Sequence, residues 1–110
     1  MAKKRVNVFE RGGEYVVDTP ILEVGGADTV RIINHTDEDL IWRVNDNTVF
    51  TGGNPVLETV PKRGNGPGSS AAKNVVNTAN FFVAVSYQLI GVNTGKKAKG
   101  NSDPVLIVEN

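Results

Sequence analysis

One stretch limits what this chain can fold into more than any other. From Ala79 to Asn110 it carries an apolar run, Phe81 to Ile90, a polar connection, and a second apolar run, Pro104 to Val108. In the first run the odd positions Phe81, Val83, Val85, Tyr87 and Leu89 are all apolar or aromatic, whereas the even positions Phe82, Ala84, Ser86, Gln88 and Ile90 are mixed. That two-residue period predicts one long strand with a single face in a core. Val105, Leu106, Ile107 and Val108 follow a proline that cannot donate to a ladder but is tolerated at the first residue of a strand. Their unbroken apolarity predicts a central strand buried on both faces. Between the two runs, Gly91 to Asp103 holds three glycines and three lysines, the composition of a solvated loop. The expectation is that this loop is dispensable for folding and open to a partner.

The remainder reads as shorter strands packed around that pair. Val6 and Val8 alternate with polar neighbours, and Glu14-Tyr15-Val16-Val17 repeats the pattern after Arg11-Gly12-Gly13, which predicts a hairpin. Ile21 to Val24 predicts another strand, and Val30 and Ile32 begin a further one. The polar bend Asn34 to Asp39 leads into Leu40, Trp42 and Val44, with Trp42 expected as a core anchor. From Asn45 to Thr78 the order is less legible: Thr48-Val49-Phe50 and Val56 to Val60 are strand candidates, and Ala71-Ala72-Lys73 is a candidate for a helical turn. Pro61 to Ser70 is dense in breakers. No window sustains a 3.6-residue apolar stripe, and no internal repeat divides the chain. About seven to eight short strands separated by turn signals predict an all-β protein, a Greek-key β-sandwich forming a single domain over residues 1–110.

Composition removes whole classes of chemistry. There is no cysteine, which excludes disulfides, thiolate metal sites and cysteine nucleophiles, and His35 is the only histidine. Lysine plus arginine equals aspartate plus glutamate at twelve each, so no overall field draws the protein to nucleic acid or an anionic membrane. No apolar run approaches the roughly 18 residues of a membrane span, and the opening residues lack a signal-peptide core, so a cytoplasmic protein is expected.

The run Thr29 to Leu40, with Ala84-Val85-Ser86-Tyr87-Gln88 and the closing Asp103-Pro104-Val105-Leu106-Ile107-Val108, resembles the middle and end of cupredoxin-like domains. An immunoglobulin-like sandwich is the related alternative. The resemblance implies a blue-copper centre for electron transfer, which takes two histidines, a cysteine thiolate and usually an axial methionine. The family's first histidine would fall near Leu40-Ile41-Trp42, and the loop implied to carry the other ligands, Gly91 to Asp103, contains no histidine, cysteine or methionine. A cupredoxin-like domain without copper ligands or any other cofactor is therefore expected.

Local groups supply the remaining candidates. His35, Asp37 and Asp39, with Glu38 among them, form the densest set of potential ligands for a hard cation, against the alternative of a solvated turn. Lys96, Lys97 and Lys99 give the last loop a local positive charge that an anion or acidic partner could use. No aromatics interleave with these lysines, so nucleic acid is not an expected partner. Serine occurs only at Ser69, Ser70, Ser86 and Ser102, none in a nucleophile-elbow setting, and the acidic pair candidates lie in one bend. The expectation is a non-enzyme: a structural or protein-interaction module that assembles with itself or a partner. The alternative is a small-ligand or cation-binding domain that uses the loops at one end of the sandwich.

Overall fold

The computed structural model describes residues 2–52, 56–98 and 103–110. Eleven strands and no helix occur among the described residues: β1 (Lys3–Arg11), β2 (Glu14–Val17), β3 (Ile21–Val24), β4 (Thr29–Asn34), β5 (Leu40–Val44), β6 (Val56–Val60), β7 (Gly68–Ser69), β8 (Lys73–Asn74), β9 (Phe82–Ser86), β10 (Gln88–Gly91) and β11 (Val105–Glu109). The helical turn expected at Ala71 to Lys73 is instead an extended edge, because Lys73 and Asn74 pair with Val30 and Thr29 of β4.

One layer is built on the β1–β2 hairpin. Gly12 (φ 59°) and Gly13 (φ 81°) both occupy the left-handed region that a two-residue hairpin turn requires, and only glycine reaches it without a Cβ penalty. The turn sets the register Arg11↔Glu14 and Val8↔Val17, placing opposite charges across the hairpin beside the turn. β1 then pairs in parallel with β4, which carries the short β7 and β8 on its other side. Val6, Val8, Tyr15, Val17, Val30 and Ile32 point inward from this sheet.

The opposite layer contains the predicted long strand, but broken. At Tyr87 the chain leaves the sheet β3-β11-β9 and enters the sheet β10-β5-β6, so Phe81 to Ile90 serves two sheets in succession. Inward parity survives the break: Val83 and Val85 pack against the core, and Tyr87 and Leu89 are buried in it. The Tyr87 amide reaches the Pro104 carbonyl at 3.0 Å, which keeps β11 attached at the switch. β11 is central, between parallel β3 and antiparallel β9, as its apolarity predicts. Only Leu106 and Val108 are fully buried, while Val105 and Ile107 are half-covered, so one face dominates.

The two layers share one core. Trp42 is 1 % exposed and meets Phe50 edge-on, ring centroids 5.9 Å apart, as expected of a core anchor. Val49 and Phe50 are buried without forming a strand: Phe50 makes a single bridge to Val75, which ties the β5–β6 connection to the opposite layer. Glu58 of β6 extends the same tie, accepting the Ala71 amide at 3.4 Å and pairing with Lys73 of β8 at 3.3 Å.

Candidate functional site

The bend between β4 and β5 is not a solvated turn. The inward parity of Val30 and Ile32 continues through Asn34, Thr36 and Glu38, which are all buried, while Asp37 is exposed. Burying polar side chains is tolerable only if each finds a partner. Asn34 Nδ2 donates to the carbonyls of Glu38 (2.9 Å) and Val60 (3.3 Å), and Asn34 Oδ1 accepts the Thr36 amide (2.8 Å) and hydroxyl (2.7 Å).

Glu38 is the hub of this end of the sandwich. Its Oε1 accepts the backbone amides of Asn93 (2.8 Å) and Thr94 (3.1 Å), and its Oε2 accepts the hydroxyls of Thr94 (2.7 Å) and Tyr15. One carboxylate therefore clamps the β1–β2 hairpin and the loop after β10 to the β4–β5 bend. Burial alone would raise the Glu38 carboxyl, but the Tyr15 and Thr94 hydroxyls and the two amides outweigh it and hold it down at about 2. The Tyr15 phenol is pushed up to about 12, first by burial and then by its bond to the Glu38 carboxylate.

The candidate residues go to separate partners. His35 Nε2 donates to Asn7 Oδ1 at 2.8 Å, and its ring stacks on Phe9 with centroids 4.4 Å apart. Asp37 pairs with Arg63 at 2.7 Å, and Asp39 accepts the Lys62 amide at 2.8 Å. His35, Asp37 and Asp39 thus do not converge, and among the described residues no three histidine, cysteine, aspartate or glutamate side chains gather as a metal site.

Lys96 turns back on the fold. Its Nζ donates to the Gly13 carbonyl at 2.6 Å and lies 5.5 Å from the centre of the Tyr15 ring. Lys97 is exposed, with its backbone bridged to Ile90, and Lys99 lies outside the described residues. Over its described part the loop is exposed from Val92 to Lys97, as a solvated loop would be, but it is tied to the fold at both ends. Gly91 and Ala98 donate to the carbonyls of Lys96 and Leu89, Ala98 is buried, and Glu38 holds the loop from below.

Sequence reasoning placed Glu38 only within an acidic group. The available signal was the alternation Asn34-x-Thr36-x-Glu38, which continues the inward parity of β4.

Two layers of strands, parallel β1–β4 and β3–β11 pairings, and loops locked together at one end define a cupredoxin-like β-sandwich. Solved structures of amicyanin share this fold. A reduced copper(I) form of a proline-to-glycine variant matches with a TM-score of 0.54 at 15% identity, covering 97% of this chain and 82% of that chain. An oxidised methionine-to-lysine variant gives 0.55 at 16% identity with the same coverage. No protein-family model matches the sequence, and no curated protein is recognisably similar to it.

The residues present do not fit the copper that this fold family implies. Leu40 and Trp42, near which the family's first histidine would fall, are buried in the apolar core. Across the pairing Gly91↔Leu40, the space beside the loop is filled by the Glu38 carboxylate. The loop ends that the resemblance assigns to a metal are held together here by hydrogen bonds.

Proposed function

We propose that this protein is a non-catalytic β-sandwich module that assembles head to tail with further copies of itself. The observation that carries this reading is where its exposed apolar residues stand. Three of the four exposed large apolar residues among the described residues, Ile21 (59 % exposed), Leu57 (74 %) and Phe82 (69 %), lie on the outer face of the layer formed by β3-β11-β9 and β10-β5-β6, while the fourth, Val92, stands in the loop after β10. Scattered exposed apolar residues need no explanation, but a shared face does.

The face has two unlike halves. On β5, β6 and β10, Leu57, Ile41, Ile90 and Val56 line a shallow groove of about 440 Å³ with the cation Arg43 at its edge. On β3, β9 and β11, Ile21 and Phe82 share the outward face with Glu23 and Glu109, Phe82 standing directly across from Glu109. Arg43 on one half and two glutamates on the other make the halves complementary between copies, and opposed charge fixes register and orientation. Such a contact is heterologous, so each copy keeps one half free and chains can extend. The reading that uses the loops at one end is less well supported, because the Asn93 and Thr94 amides an anion would need there are already taken by Glu38.

Light scattering on a sizing column, over a wide concentration range, tests the proposal. Mass should rise with concentration, and Leu57→Lys or Phe82→Glu should each leave the protein monomeric, because every contact needs one intact copy of each half. Mixing the two variants should restore dimers, since each retains one intact half. A strict monomer at the highest concentration overturns the reading.

A further inference from the structure

We propose that the outer face of the β1–β4 sheet holds a phosphate-binding site made by Arg5, Arg31 and Lys3. The site lies on the opposite layer from the self-assembly face and does not depend on it. The parallel register sets Arg5 directly opposite Arg31 and Lys3 opposite Thr29. Lys3, Arg5 and Arg31 are all exposed, while the next residues of the two strands, Val6 and Ile32, are buried. Both guanidiniums therefore leave the same face of neighbouring strands, which lie about 4.8 Å apart, with Lys3 roughly 6.6 Å further along β1.

That arrangement is costly without a ligand. Like charges directly opposite each other on one face of a sheet are destabilising. Among the described residues no carboxylate pairs with these three: the ion pairs there are Arg63 with Asp37 and Lys73 with Glu58, and neither involves Lys3, Arg5 or Arg31. The same residues, with Lys4, Thr29 and Ala72, line a concavity of about 170 Å³, the size for a single anionic group and too small for a large apolar ligand. Guanidinium forks match the oxygens of phosphate and can bind them in pairs, Lys3 adds a point charge, and the Thr29 hydroxyl supplies a further donor. The ligand chemistry is thus a dianionic phosphate, carried by a soluble phosphorylated compound or by a lipid headgroup.

Thermal unfolding in inorganic phosphate, against sodium chloride at matched ionic strength, tests the site, since screening alone affects both salts equally. The expected result is a saturable rise in melting temperature with phosphate only, lost in Arg5→Gln and in Arg31→Gln. Without phosphate, each variant should melt at or above the temperature of the parent, because a like-charge contact has been removed. As a measurement that needs no variant, phosphate should shift the amide resonances of Lys3 to Arg5 and Thr29 to Arg31 in the parent protein. Vesicles of phosphatidylcholine with and without phosphatidic acid separate the sources: retention by phosphatidic acid vesicles assigns a headgroup, and binding of phosphate without retention assigns a soluble ligand. A phosphate response equal to that of chloride, together with no vesicle retention, overturns the proposal. So does a saturable response that persists in both glutamine variants.

Discussion

Gly91 and the Glu38 carboxylate occupy what would otherwise be the same space: a Cβ built on Gly91 would lie 2.5 Å from Glu38 Oε1 and 2.7 Å from its carboxyl carbon. The glycine matters here for its missing side chain. Gly91→Ala should push the carboxylate off the Asn93 and Thr94 amides and destabilise the fold by about 1–3 kcal/mol, the usual cost of overpacking a filled site. Chemical denaturation measures it. In a Glu38→Ala background the same substitution should cost much less, and equal costs in both backgrounds would dissociate the two residues.

The clamp makes stability depend on acid. The Glu38 carboxyl titrates at about 2 in the fold against an ordinary 4.5, so the folded state favours the charged form. Its contribution is complete above about 4.5 and is lost as pH falls from there toward 2. Glu38→Gln should flatten this limb of the stability profile. Tyr15→Phe should remove a bond to a charged acceptor worth about 1.5–3 kcal/mol and, by raising the folded-state Glu38 carboxyl toward its ordinary value, make the acid loss smaller and complete at a higher pH. Denaturation midpoints measured across the acid range check both; a Tyr15→Phe profile parallel to that of the parent would contradict the coupling.

Trp42→Ala should destabilise the protein by roughly 3–5 kcal/mol, because a fully buried indole leaves a cavity against Phe50. An unchanged denaturation midpoint would contradict its role as core anchor.

Lys96→Gln should lower stability by about 0.5–1 kcal/mol through loss of its contact with the Tyr15 ring, with a further small loss from the Gly13 carbonyl. Lys97→Gln, whose side chain is exposed and makes no hydrogen bond or ion pair among the described residues, should leave the melting temperature unmoved and serves as the control.

Much of the fold was legible in the chain because strand parity is a local property. The inward parity of Phe81 to Leu89, the turn at the glycine pair of the first hairpin and the central place of the apolar run after Pro104 are all found, although that run buries one face where two were expected. The break at Tyr87 was not legible: parity is unchanged across it, and only the positions of β11 and β5 decide which half pairs with which.

The sequence by itself determined an all-β sandwich without thiol chemistry, and a resemblance to cupredoxins without their ligand residues. Tertiary structure alone decided what each polar residue of the β4–β5 bend does. His35, Asp37 and Asp39 are neighbours in sequence but point to Asn7, Arg63 and the Lys62 amide. Glu38, one more acid in the same group, reaches partners 55 and 56 residues away. A side chain's inward or outward direction follows from strand period, but its partner depends on which distant loop the packed layers bring to that spot, and no local pattern encodes that.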